Sequence, residues 1–352
     1  SGGKSLATEN LFNRLLGPAG LLINADLATR TAPEGYRTDH AIPAAVNAAE
    51  AVRLAVAGGV ADRAVLRQIN HTLCAARAVL PPQPCALSDA LKRLADSPEA
   101  SKLPSPDAPL KAGDIAARLA LIEHQQAWLA KPLGPWPAHP AAAVYPGLPP
   151  HDAPRGKRVV AVNLDVPRWR STGLYAAAGE AVTVDLPAGA EALGLKLRIG
   201  TTTCDNTRHD EWRRAPKVDV TVPLNASRVS VASPFGGLVY VVVPDKVEAA
   251  ERTVRMTLQN VCQAVWFKKG RDTAAAWRAS IRALPSPWAE IESDKVILTV
   301  PADTVRALDD PLALLDFWER IADQDARLTG LPAERRSPER FCADVQLCGG
   351  WM

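Results

Sequence analysis

The residues best able to do chemistry are sparse and widely spaced. The six histidines are His40, His71, His124, His139, His151 and His209. No two lie four apart, so no helix can present the paired imidazoles of a His-Glu-x-x-His zinc grip. No Gly-x-Ser-x-Gly elbow is present to expose a serine nucleophile. Gly2-Gly3-Lys4-Ser5 matches only the tail of a phosphate-binding loop, and no strand leads into it. His209-Asp210-Glu211 offers metal-binding atoms, but neighbouring residues rarely converge on one ion. The six cysteines, Cys74, Cys85, Cys204, Cys262, Cys342 and Cys348, include no Cys-x-x-Cys, so zinc through cysteine is not expected. Local bridges Cys74–Cys85 and Cys342–Cys348, a Cys204–Cys262 bridge across a sheet, and free buried thiols all stay open.

The most polar stretch is Thr201–Arg214, read as a loop on a rigid sheet. Trp212 and Arg213 are its candidate binding contacts, against the plainer reading of a solvated hairpin. Ser233-Pro234-Phe235-Gly236-Gly237 is read as a tight turn or a close backbone approach that only glycine allows. Asn70-His71-Thr72 and Asn225-Ala226-Ser227 match the glycosylation sequon but are discounted as chance.

The elements that must carry these residues change character along the chain. Residues 1–131 are expected to form a helical domain. Ala44–Ala57 is helical behind Pro43, and 60–80 carries Val65, Leu66, Ile69, Leu73 and Ala76 on one face. Ser88 is read as the cap of a short helix over 89–95, and Asp114 as the cap of the next. Eight prolines between 132 and 154 mark residues 132–157 as an extended linker. From 158 to 270, short alternating runs predict an antiparallel β-sandwich. The runs are 159–162, 181–186, 193–199, 218–222, 228–231, 238–243 and 252–268. Residues 271–352 mix helix and strand. A helix is expected over 273–284, a strand over 295–300, and a strand within 340–347. Asp310-Pro311 opens a long helix that Gly330 ends, with Leu312, Leu315, Trp318, Ile321 and Ala322 as its buried stripe. The whole is a multidomain α+β protein.

With 352 residues the chain is long enough for two or three domains. Its 41 basic and 38 acidic residues leave a net charge of +3, too balanced for a protein built around nucleic-acid phosphate. No apolar run approaches the length of a membrane span. Tryptophan is frequent, with seven of the nine after residue 158. Exposed tryptophan stacks on sugar faces, although tryptophan in a sandwich is more often core.

The second half resembles the enhancin-like, or M-sixty, peptidase family. The resemblance rests on Trp169–Tyr175, Gly179–Val184, Leu197–Gly200, Arg214–Val218, Ser233–Tyr240, Pro287–Ile291, Lys295–Pro301, Asp310-Pro311-Leu312 with Phe317-Trp318, Asp344-Val345-Gln346 and Gly350-Trp351-Met352, in that order. The Ala-rich helical front is similar to that of the ImpA-type bacterial subgroup. The resemblance implies secreted, periplasmic or surface zinc metallopeptidases that cut mucins and other O-glycosylated proteins. It makes 271–352 the start of a mixed α/β catalytic domain. In the family Gly-Trp-Met precedes the zinc helix. The complete enzyme is therefore expected to carry Zn2+, while these residues stop short of it, bind no zinc and are inactive alone. The resemblance implies a glycan contact for Trp351 and places Asp344 and Gln346 in the cleft wall. The rival expectation is a non-catalytic sandwich that binds glycans or a host surface. Neither reading fixes an oligomeric state.

Overall fold

The computed structural model describes residues 6, 9–17, 21–23, 43–81 and 83–349. The chain divides into two compact units, Ser1–Ala130 with Asp205–Pro216, and Lys131–Cys204 with Lys217–Met352. Each is described by itself.

In the first unit, α1 (Leu11–Leu16), α2 (Ala48–Ala57), α3 (Arg63–Val79), α4 (Ala86–Ala95) and α5 (Ile115–Ala130) follow in order. Their ends have plain causes. The Asn47 carboxamide accepts from the amides of Ala49 and Glu50 at the start of α2, and the Asp62 carboxylate does the same for Ala64 and Val65 in α3. Helix α4 starts three residues before the expected 89–95. Cys85 is its cap, and Ser88 is the residue whose hydroxyl reaches back to the Cys85 amide at 2.8 Å. Ile69, Leu73, Leu91, Ile115 and Leu119 form the core, while Val65 and Leu66 are only half-buried. Asn70 is buried in α3 and bonds to backbone carbonyls, consistent with discounting its sequon.

The polar stretch does not behave as a loop of the sheet. Residues 205–216 belong to the helical unit. Trp212 and Leu110 exchange backbone hydrogen bonds of 2.9 Å in both directions. The unit 158–270 expected from sequence is thus interrupted, because this excursion buries its tryptophan among the helices.

The second unit is mixed α+β with a large antiparallel sheet. Its eight strands are β1 (Gly156–Asn163), β2 (Arg168–Ala176), β3 (Ala181–Asp185), β4 (Lys196–Ile199), β5 (Val220–Pro223), β6 (Arg228–Ala232), β7 (Gly237–Val243) and β8 (Thr253–Gln263). One wing runs β5-β4-β7-β2-β8, and the other joins β6, β3 and β1 to the same β8. Strand β8 serves both. Residues 253–261 pair with β1 and β3, and Cys262 and Gln263 pair with β2. Asn260, at φ 60°, bends it between the two. Strand β4 is shorter than the expected 193–199 because Gly194 sits at positive φ.

Residues 132–157 are not a free spacer. Ala141, Ala142, Tyr145 and Ala153 are buried. Trp288 donates its indole N–H to the Pro146 carbonyl at 2.7 Å, and Tyr175 donates its hydroxyl to the Gly147 carbonyl at 2.7 Å. The prolines shape a segment that is pinned by side chains from elsewhere in the unit.

A second sheet follows, ordered β12-β11-β10-β9 from β9 (Val265–Lys268), β10 (Trp288–Glu292), β11 (Val296–Pro301) and β12 (Glu339–Cys342). Helices α6 (Ala274–Ala279) and α7 (Pro311–Thr329) belong to this region. Asp310 caps α7, and Gly330 ends it in the left-handed conformation, as expected. Leu315, Ala322 and Ala326 are its buried face. Ile321, assigned to that stripe from sequence, is 42% exposed. The core joins Val265, Phe267, Trp277, Ile291 and Leu315.

Candidate functional site

The strongest polar arrangement in the second unit is centred on β12. Arg340 projects from this edge strand and is mostly buried. Its Nη1 donates to the Glu290 carboxylate on β10 and to Thr299 Oγ1 on β11 at 2.9 Å. Its Nη2 donates to Ser171 Oγ on β2 at 3.0 Å. Glu290 also accepts from the Tyr240 hydroxyl at 3.2 Å and from Thr299 Oγ1 at 3.1 Å. Glu290 is 1% exposed, so every lone pair it brings inside has to be met by such donors.

Aromatic stacking extends the network through the large sheet. The Arg340 guanidinium lies 4.8 Å from the Tyr240 ring centre. Tyr240 and Trp169 rings are 5.7 Å apart, and the Arg198 guanidinium covers Trp169 at 3.8 Å. Arg198 is paired with Asp219 at 2.7 Å. Cations over aromatic faces gain when water is excluded. Burial, then the Glu290 charge, holds the Tyr240 phenol well above its usual range. For Arg340, burial works against the charge but is outweighed by Glu290 and Tyr240, and the guanidinium stays firmly protonated.

Beside this network lies a cavity of about 590 Å³. Trp169 and Arg170 of β2, Thr201–Cys204, and Arg340 and Cys342 of β12 contribute to its wall. Cys342 donates its S–H to the Thr201 carbonyl at 3.0 Å, and burial pushes its thiol up to about 11. Cys204 and Cys348 form a disulfide that ties this wall to the segment after β12. The pairing was open in the sequence. Cys74, Cys85, Cys262 and Cys342 are free thiols, so the three alternative bridges are not made.

Of the residues singled out from sequence, Asp344 and Gln346 come together in one turn after β12. The Gln346 amide donates to Asp344 Oδ1 at 3.1 Å. Trp351 lies outside the described residues, as does the Gly2–Ser5 stretch. Trp212 is wholly buried, with the Arg118 guanidinium 4.1 Å from its ring centre. It is therefore a packing residue of the helical unit, not a ligand contact on a solvated loop. Arg213 next to it is exposed. In His209-Asp210-Glu211, the Asp210 carboxylate is taken by Arg67 and Arg63, and the His209 carbonyl accepts from Arg118. Ser233 Oγ accepts from the amides of Phe235 and Gly236, and a Cβ on Gly236 would lie 2.5 Å from the Ala176 carbonyl oxygen. Both the tight turn and the close approach are realised there.

Arg340, Glu290, Tyr240 and Arg198 were not singled out from sequence. The usable signal was the charged residues in otherwise apolar strands, each of which needs a buried partner.

Zinc does not fit the described residues. Among the described residues no group of three His, Cys, Asp or Glu side chains could hold a metal ion. Glu290 and Glu292 are occupied by cations, the latter by Lys268 at 2.9 Å.

Two adjacent family descriptions match this unit. Residues 151–257 match the N-terminal domain of M60-like peptidases, and residues 260–352 match peptidase M60, enhancin and enhancin-like. Over 151–352 the chain belongs to the M60-like peptidase family. Among curated relatives, a TRPM8 channel-associated factor homolog of Xenopus laevis is 39% identical over 184 residues, which is 52% of this chain and 20% of that protein. TRPM8 channel-associated factor 1 of Homo sapiens is 36% identical over the same length, with the same shares of each chain. The chain thus spans about one fifth of the length of these relatives. Among solved structures, the IMPa metallopeptidase from Pseudomonas aeruginosa has a TM-score of 0.47 at 15% identity, over 79% of this chain and 36% of that one. A protein of unknown function from Bacillus anthracis has a TM-score of 0.42 at 18% identity, over 53% and 41%.

Proposed function

We propose that these residues are the front part of a zinc metallopeptidase that cleaves O-glycosylated proteins such as mucins. The observation that carries the reading is the succession of the two M60-like domain matches over 151–352. In this reading the helical unit and the large sheet recognise or present the substrate. The region from β9 to β12 is the opening of the catalytic part. When bound in a complete enzyme, zinc would polarise the scissile carbonyl and activate a water. No zinc-binding pair lies in these residues, so the chain as given is proposed to be inactive by itself. Asp344, Gln346 and Trp351 are proposed to line the substrate cleft. The Ala-rich helical front supports the narrower proposal of a bacterial, ImpA-type enzyme, whereas the curated relatives named above are animal proteins. Export to a secreted, periplasmic or surface location is also proposed, and the Cys204–Cys348 disulfide supports it.

The test is cleavage of a synthetic O-glycopeptide, followed by mass spectrometry. One arm uses residues 1–352 and the other a natural longer form that carries His-Glu-x-x-His. Chelator-sensitive cleavage by the longer form alone is expected. Cleavage by residues 1–352 would overturn the assignment of zinc chemistry to other residues. A second reading, a non-catalytic binding module, is favoured by relatives named for association with a channel and not for hydrolysis. It predicts that the longer form binds glycoprotein but leaves it intact.

A further inference from the structure

We propose that the cavity beside β2 is a binding site for an oxyanion, a carboxylate or sulfate group, either free or carried on a small polar ligand. Its volume of about 590 Å³ falls among small-molecule sites. Arg170, on its wall, is a half-buried cation that no carboxylate contacts directly, although Glu292 and Glu290 attract it from a distance. Its Nε donates to the Trp169 carbonyl at 3.0 Å, and the guanidinium makes no ion pair among the described residues.

The surrounding carboxylates are already taken. Glu290 is held by Arg340, and Glu292 by Lys268 and by the Trp266 indole at 2.8 Å. Three cations therefore face two carboxylates, and Arg170 is the surplus charge. Burial lowers its affinity for a proton; the attraction of Glu292 and Glu290, opposed by neighbouring Arg340, does not offset it. Of the acidic residues on the wall, Glu339 is paired with Arg335 at 3.2 Å, and Asp245 makes no ion pair with Arg168 or Arg170.

Two further features point the same way. Arg168, also on the wall, holds φ 68°, a conformation that costs a non-glycine residue energy and is typically kept for a purpose. Thr201 is 2% exposed with a hydroxyl that has no partner, and Thr202 and Thr203 follow it along the wall. A guanidinium and hydroxyl-bearing residues lining one cavity suit a planar or tetrahedral oxyanion. This inference stands apart from the peptidase reading, since it concerns binding alone.

The test is calorimetric titration of the full chain at low ionic strength with sodium sulfate, glucuronate or glucose. Glucuronate and glucose differ by the carboxylate. Binding of glucuronate and not glucose supports the site and assigns a carboxylate on a sugar ring. Binding of sulfate alone supports it and assigns a free inorganic anion. Arg170→Met should weaken either at least about tenfold. It should leave the melting temperature at or above the starting value, because no ion pair is lost. Equal binding of glucose and glucuronate, no binding of either anion, or undiminished binding by Arg170→Met would each overturn the proposal. Arg168→Gly is a second variant that relieves strain. It is expected to fold at least as well and to bind the anion more weakly, and unchanged binding would remove Arg168 from the site.

Discussion

Replacing Arg340 with methionine tests whether the buried network holds the second unit together. Glu290 and Arg340 have side chains only 2% and 12% exposed. Methionine fills much of the volume but leaves the Glu290 carboxylate inside with only the Tyr240 and Thr299 hydroxyls. Losing one partner of such a pair costs about 3–5 kcal/mol, because the other charge stays buried. For a unit of about 200 residues each kcal/mol is worth roughly 2–4 °C, so the melting transition should fall by about 6–20 °C. Glu290→Gln keeps the shape and an acceptor for Tyr240 while removing the charge that Arg340 needs. In the double variant neither charge remains, and the two losses should overlap by at least about 2 kcal/mol. Urea unfolding of the four proteins, followed by tryptophan fluorescence, closes the cycle. If Arg340→Met shifts stability by less than about 1 kcal/mol, or the two changes simply add, the pair is not a structural keystone and the reasoning fails.

Three other outcomes follow from local geometry. Burial lowers the His124 affinity for a proton in the first unit, so its folded value lies below the ordinary 6.5. Below 6.5 the unfolded chain binds more protons, so stability should decline as pH falls through that value towards the folded one. His124→Gln should flatten the decline in a pH series of thermal melts. Burial pushes the Cys74 and Cys342 thiols up to about 11. Against an ordinary thiol at 9.0, their thiolate fraction at pH 8 is about 90-fold smaller, so alkylation mapped by mass spectrometry should be at least about tenfold slower. Gly236→Ala meets the Ala176 carbonyl at 2.5 Å and a backbone at φ 68°. A loss of about 3 kcal/mol or more is expected by thermal melting, and a neutral variant would show that the turn can move.

The parts of the fold legible in the sequence are those with local causes. Helix α7 lies between a capping aspartate with proline and a terminating glycine, and each acts within a few residues of itself. Strands β3, β6 and β7 are rich in β-branched residues between turns. Strand β2 was missed although it sits in the middle of the large sheet. It begins with Arg168 and Arg170, and its register breaks between Ser171 and Leu174, where a Cβ on Gly173 would run into the Trp266 ring. The affiliation of 205–216 with the helical unit was equally hidden, because the Leu110–Trp212 pairing spans a hundred residues of chain and no short window contains it.

The same physics that hid the polar network also makes it informative. Strand β10 is buried at every residue, yet it reads Trp288-Ala289-Glu290-Ile291-Glu292. By pattern alone, two carboxylates in five residues suggest a strand with one wet face. A buried strand with two carboxylates requires two cations from elsewhere, because isolated buried charge is too costly to keep. Lys268 and Arg340, from β9 and β12 on the two sides of the β10–β11 pair, meet that requirement. Register in this small sheet is therefore set by charge as well as by apolar pattern. A one-residue slip of β12 would move Arg340 to the other face and leave Glu290 unpaired inside. Arg170 stands outside this balance as the cation that shares these carboxylates at a distance without contacting either. The imbalance becomes visible only when every buried charge is traced to its partner.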